Sequence, residues 1–287
     1  SVEVPETEAL IVKAAAADNY MFYRWVEEGT ETVISYRHTY SYEGTEDKTL
    51  VAEFVEKDYP IMTRFYVTDL NQQNRYLGSV SYTAGDKTKT LFTCATQEEL
   101  PFTEYKKLHT PQVEGAVIDK TENPIRLEEG VENFSMNFKQ YNEDITYNNG
   151  YRDIVCEPEI VWSYQTLYID WNNDKEFSGE NEIYAAVGNN SGDNTFDDPD
   201  GNVTEGWDRT ITVPAETAPG TYRMRVVYMG PDPWSNDWPS KVFTEFYNEI
   251  RNGIAYDFEI AISPASRIEG IASGKVYYDA HAGLLIS

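Results

Sequence analysis

The sequence predicts an all-β protein: a small β-repeat module followed by a larger antiparallel β-sandwich, Ig-like or jelly-roll-like, with long loops. Three observations predict it. The 22 Tyr and 12 Phe dominate an aromatic content of 14%, and Leu is scarce, a composition that suits strands. Short runs of alternating apolar and polar residues recur along the chain, each closed by Gly, Pro, Asn or Asp. Helical patterning is confined to two short stretches, 243–250 and 97–105, the second of which reads equally as an irregular loop. At 287 residues the chain is long enough for two domains. Boundaries are expected at 1–57, 58–263 and 264–287.

The elements follow in order. Residues 9–14 and 20–26 read as strands about the turn Asp18-Asn19, with Tyr20, Phe22 and Arg24 on one face. Further strands lie within 32–42 and at 48–54, and another at 60–67. The turn Ala84-Gly-Asp86 joins 76–82 and 88–94 as a hairpin. Residues 111–123 read as an exposed connection, 125–130 and 134–138 as strands, and Asn148-Asn-Gly150 as a turn. Strands are predicted at 160–172, 183–187, 210–213, 220–228 and 253–262. Between them lie an acidic loop over 188–208 and a polar loop over 231–239. The tail 274–287 alternates like a hairpin with a turn at Ala282-Gly283, and reads as the opening strands of a C-terminal module cut short.

A net charge of −26 excludes nucleic acid, whose backbone needs a cationic face, and disfavours an anionic membrane surface. No stretch approaches the ~20 apolar residues of a membrane span. The chain opens on Ser1 without a signal-peptide pattern, so an excerpt from a longer secreted precursor is expected. Cys94 and Cys156 would close a loop of about 60 residues if oxidised together. Two separate buried thiols are the equal alternative.

Chemistry concentrates where the strand Leu167-Tyr-Ile-Asp-Trp-Asn172 ends. Asp170, Asn172, Asp174, Glu176, Glu180 and Glu182 place oxygens at alternate positions before the turn at Ser178-Gly179. Hard cations take six to eight oxygens, so one Ca²⁺ is expected on Asp170, Asn172, Asp174, the Glu176 carbonyl and Glu180 or Glu182. Lys175, at the sixth position where Gly would suit, argues for the alternative, a solvated acidic turn. Asp193, Asp197, Asp198 and Asp200 form a weaker second cluster, or a solvated loop. Arg223 and Arg225 share a strand face and are expected to pair with Asp257 or nearby acids. Trp234 and Trp238 suggest a platform for sugar rings, or loop packing. Three His without metal-ligand spacing, and no nucleophile motif, argue against an enzyme.

Two resemblances follow from these residues. Asn19-Tyr20, Phe22, Trp25-Val26, Ser35, Tyr40 and Thr49-Leu-Val-Ala-Glu-Phe54 resemble a divergent internalin-type B-repeat of bacterial surface proteins, which implies a spacer or adhesive module. Ile169-Asp-Trp-Asn172 with Asp174 and Phe177, then Thr221-Tyr-Arg-Met-Arg225, resemble the GEVED domain over roughly 60–262. Of the name-giving Gly-Glu-Val-Glu-Asp this chain keeps only Gly253 and Asp257. The resemblance implies a β-sandwich in secreted and surface proteins of Bacteroidetes and related bacteria, with no established catalysis. The expected function is a non-catalytic secreted or surface module for binding or display, with a glycan or extracellular protein as partner. The alternatives are a structural spacer and an accessory part of a secreted peptidase or glycosidase.

Overall fold

The computed structural model describes residues 9–17, 20–42, 46–65, 75–100, 115–148, 150–156, 164–179, 181–188, 206–229, 248–251, 253–265, 276–279 and 283–286. Regular structure among them is β throughout, apart from one 3₁₀ turn at Gln97–Glu99 where a short helix or loop was expected.

The first five strands are β1 (Leu10–Lys13), β2 (Tyr20–Glu27), β3 (Val33–Ser35), β4 (Thr39–Tyr42) and β5 (Leu50–Glu56). β1 pairs with β4, and β3, β2 and β5 form a three-stranded sheet in that order. Phe22 and Trp25 both enter the small core, with ring centroids 5.8 Å apart. Three residues apart on a regular strand, they would face opposite ways. A register shift between Phe22 and Arg24 brings them to one side. The same shift takes Arg24 off the Tyr20 and Phe22 face that plain alternation predicts. Its guanidinium instead meets Glu53 at 2.5 Å.

The strands that follow are β6 (Met62–Phe65), β7 (Leu77–Ala84), β8 (Lys87–Thr93), β9 (Val117–Asp119), β10 (Ile125–Glu128), β11 (Asn133–Gln140), β12 (Ile145–Asn148), β13 (Asp153–Cys156), β14 (Tyr164–Ile169) and β15 (Ile183–Gly188). After them come β16 (Gly206–Thr212), β17 (Gly220–Met229), β18 (Asn248–Arg251), β19 (Gly253–Ser263), β20 (Val276–Asp279) and β21 (Gly283–Ile286). One sheet runs β10-β19-β17-β14-β15, with β9 also on β19; the other runs β16-β11-β7-β8. Between them lies the main core, where Val80, Met136, Phe138, Trp207 and Ile211 meet Leu167, Met224, Val226, Tyr228 and Phe258. This is a β-sandwich.

β11 alternates buried and exposed as a half-buried strand should, whereas β17 is buried continuously from Met224 to Tyr228. The difference has a cause. The outer face of β17 is covered by a second cluster in which Met62, Phe177 and Ile250 pack on Tyr168, Val227 and Ala255. A strand buried on both faces loses its alternation.

Three predicted details change. β9 and β10 join β19 in parallel, and β6 pairs with β18 in parallel, so the ladders are mostly but not wholly antiparallel. Alternation fixes faces and carries no information on direction. The helix predicted at 243–250 is a strand from Asn248 onward, because Ile250 is buried beside β6; 243–247 lie outside the described residues. The loop predicted over 188–208 gives way to β16 at Gly206, where buried Trp207 packs edge-on against Tyr228 with centroids 4.9 Å apart. The predicted hairpin β7–β8 forms about Gly85 at φ 61°, and the tail pairs as β20–β21. Cys94 and Cys156 are not joined in a disulfide, and Cys156 is buried.

Candidate functional site

Asp170 follows directly on β14, and its side chain is fully buried. Burial of a carboxylate is costly unless its oxygens are hydrogen-bonded. Here Oδ1 accepts from the Asp174 amide at 3.2 Å, and Oδ2 from the Lys175 amide at 3.0 Å and the Tyr59 hydroxyl at 2.8 Å. Asn172 Oδ1 caps the Asp174 amide and Asp174 Oδ1 the Glu176 amide, each at 2.8 Å. These Asx-type bonds wind the loop tightly, and Asn173 and Lys175 take φ of 58° and 65°. Lys175 thus adopts a left-handed backbone of the kind that favours glycine, and its ammonium donates to the Lys57 carbonyl at 3.1 Å.

Glu182 closes the loop. Its carboxylate, 1% exposed, accepts from the amides of Gly179 at 2.7 Å, Ser178 at 3.1 Å and Asn172 at 3.3 Å. A side chain on Gly179 would place its Cβ 2.7 Å from Glu182 Cδ, so only glycine lets the carboxylate lie against the turn. Burial raises the carboxyls of Asp170 and Glu182 above the usual range, and the charge of Asp174 adds to both. The donor set is all oxygen, which suits a hard cation, and Lys175 sends its charge to residue 57 rather than into the loop. Among the described residues, no three His, Cys, Asp or Glu side chains gather as a metal-holding group. Glu180, Asp193, Asp197, Asp198, Asp200, Trp234 and Trp238 lie outside the described residues.

The loop also holds a strap, residues 57–60, that leads from β5 to β6. Tyr59 stacks on Phe177 with centroids 5.5 Å apart while its hydroxyl binds Asp170. Lys57 meets Glu176 at 2.7 Å. Beneath the strap, Arg225 is 2% exposed and grips Asp257 with two bonds, Nε–Oδ1 at 2.6 Å and Nη2–Oδ2 at 2.9 Å. Its Nη1 donates to the Pro60 carbonyl. Arg223 adds a bond to Asp257 Oδ2 at 3.0 Å and lies over the Tyr59 ring, 4.7 Å from the centroid. The predicted pairing of Arg223 and Arg225 with Asp257 is therefore present, and the strap is its unforeseen third party. Nothing in the sequence near Tyr59 marks it as the partner of a residue 111 positions away.

β14, β17 and most of β19, which carry this loop and its ion pair, fall within one stretch that matches a known family model. Residues 164–260 match the GEVED domain. The sandwich reaches beyond the match, since β7, β8, β10 and β11 come from residues 77–140. At the two positions of the GEVED signature where glutamate is replaced stand Ile254 and Tyr256, both buried in the core. The two retained positions have structural work. A Cβ on Gly253 would overlap the Tyr228 carbonyl oxygen and Met229 Cα, and Asp257 holds both arginines. No curated protein and no solved structure matches the chain.

Proposed function

We propose that the chain is a non-catalytic binding and display module that works outside the cell, with a glycan or an extracellular protein as its partner. The observation that supports it is the clamped strap. The strongest polar constellation in the described residues spends its oxygens on backbone amides, Tyr59 and two arginines, which is architecture for holding a preceding module. The module over residues 8–55, with its Phe22 and Trp25 core, is proposed as the B-repeat-like part that is displayed. An acidic chain at −26 suits an exposed, soluble surface and repels nucleic acid.

Binding of the purified chain to an array of glycans and matrix proteins tests this reading. Hits at millimolar sensitivity or better are expected. Silence across the array removes the binding role and leaves a spacer, and hydrolysis of an arrayed glycan overturns the non-catalytic part.

Ca²⁺ is proposed as a stabiliser of the Asp170 loop, held by Asp170, Asn172, Asp174, the Glu176 carbonyl and Glu182. It would supply the positive charge that two buried carboxylates beside Asp174 lack. At a hundredfold excess over its dissociation constant a native-state ligand stabilises by about 2.7 kcal/mol. For a domain of this size that raises the melting temperature by roughly 5–10 °C. An unchanged midpoint between calcium and chelator removes the ion from the proposal.

A further inference from the structure

The strap is tied to the small module as closely as to the sandwich. β5 keeps its ladder to β2 as far as Glu56, which lies opposite Tyr20. The next residue, Lys57, is already held by Glu176 through its ammonium and by Lys175 at its carbonyl. No residue between the small sheet and the clamp is left over as a linker.

Ile61 follows the strap directly. Its side chain packs on the small core of Ala14, Phe22 and Trp25, and among the described residues it is the one member of that cluster from beyond β5. Its neighbour Met62, 1% exposed, packs instead in the sandwich cluster with Phe177, Val227 and Ile250. Successive residues of an extended chain point opposite ways, so one short segment feeds both cores. Ile61 is fixed from the sandwich side. On one flank the Pro60 carbonyl accepts from Arg225, and on the other β6 starts at Met62 in register with Asn248.

The small core depends on that residue. A unit of under ~60 residues buries too little surface to be more than marginally stable alone. Ala14, Phe22 and Trp25 are the buried members of the cluster, and the residues packed around them are partly exposed. With Pro60 and Met62 already held by the sandwich, Ile61 has little freedom left to lose and adds its burial at low entropic cost. We propose that the fold of the small module is conditional on the sandwich, with Ile61 as the coupling. With the clamp closed, Ile61 is pressed on the small core and the β3-β2-β5 sheet is tight; with the clamp open, Ile61 withdraws and the sheet loosens. The coupling is reciprocal, so a partner that binds the folded small module also tightens the strap. It goes beyond the binding role and holds whatever the module binds.

Native-state hydrogen exchange of the whole chain tests it, read at the amides of the paired strands β2 and β5. The hydrogen bonds of Arg225 go to Asp257 and Pro60 and none to the small module, so an autonomous module would keep its rates in Arg225→Met. In that variant, and in Ile61→Ala, the β2 and β5 amides are expected to exchange at least about tenfold faster than in the wild type, a loss equivalent to one hydrogen bond. Leu91→Ala, which weakens the main core from the other sheet, is expected to leave them unchanged. Wild-type rates at β2 and β5 in Arg225→Met overturn the proposal even where Ile61→Ala speeds them, because a local cavity alone explains the second result. An acceleration in Leu91→Ala as large as in Arg225→Met overturns it too, since the strap is then not the route. Tyr59→Phe removes a single bond from the strap and serves the same test, with the same two outcomes, if Arg225→Met does not fold.

Discussion

Replacing Arg225 with Met removes the centre of the clamp at nearly constant volume. The side chain makes two charge-assisted bonds to Asp257 and a third to Pro60, and both charged partners are at most 3% exposed. Breaking a buried pair by deleting one partner typically costs 3–5 kcal/mol, because the other charge stays behind. Here Arg223 remains 3.0 Å from Asp257 Oδ2, so the cost falls near the lower end, about 3 kcal/mol. Against a domain stability of roughly 5–15 kcal/mol that is a large fraction, but folding survives. Urea unfolding followed by tryptophan fluorescence and circular dichroism measures it directly. The double variant Arg225→Met/Asp257→Leu completes a cycle whose coupling should be at least about 1 kcal/mol. Because the pair is buried, 1 M salt should leave the coupling nearly unchanged. A loss under about 1 kcal/mol for the single variant, or a coupling that salt abolishes, refutes the buried clamp.

Other outcomes follow from the same packing. Gly253→Ala must push β19 off β17 at their first pair, so it should cost on the order of 3 kcal/mol or prevent folding. Gly29→Ala, at φ 74° in open space, should cost only about 1 kcal/mol in the same urea assay. Tyr76 and Tyr256 are held above the usual phenol range, chiefly by burial. Their folded-state pKa is the higher, so the unfolded chain loses these protons first. Stability is then full below about pH 10 and falls above it, by roughly 1.4 kcal/mol per pH unit for each tyrosine. A flat stability between pH 9 and 11 would show that these phenols are hydrated.

How far the sequence could be read depended on the range of each interaction. The hairpin at Gly85, the strand through Leu167 and Ile169, and the alternation of β11 are local, and were legible. Arg223 and Arg225 beside Asp257 were legible as well, because two arginines on one face of a long strand require an acid nearby. Tyr59 was not: its ring sits on Phe177 and its hydroxyl on Asp170 only after the strap has folded back across the sheet. Ile250 was read as helical because a four-residue strand in parallel with β6 has no local signal. Lys175 was read as an obstacle to a tight oxygen loop, yet it adopts the left-handed backbone of glycine and carries its charge to the strap. The bulge at Gly78 depends on a partner strand some sixty residues later, and no pattern within either strand announces it.

The clamp is tested most directly at the Lys57–Asp58 bond by trypsin under native conditions. Lys57 is engaged at both ends, its ammonium by Glu176 and its carbonyl by Lys175. Native cleavage tracks the population of the open strap. In the wild-type chain the bond should resist, and in Tyr59→Phe and Arg225→Met it should be cut at least about tenfold faster while the sandwich stays folded, since each variant loses a bond worth about 1.4 kcal/mol or more. Wild-type cleavage at Lys57 as fast as in the two variants would contradict the clamp.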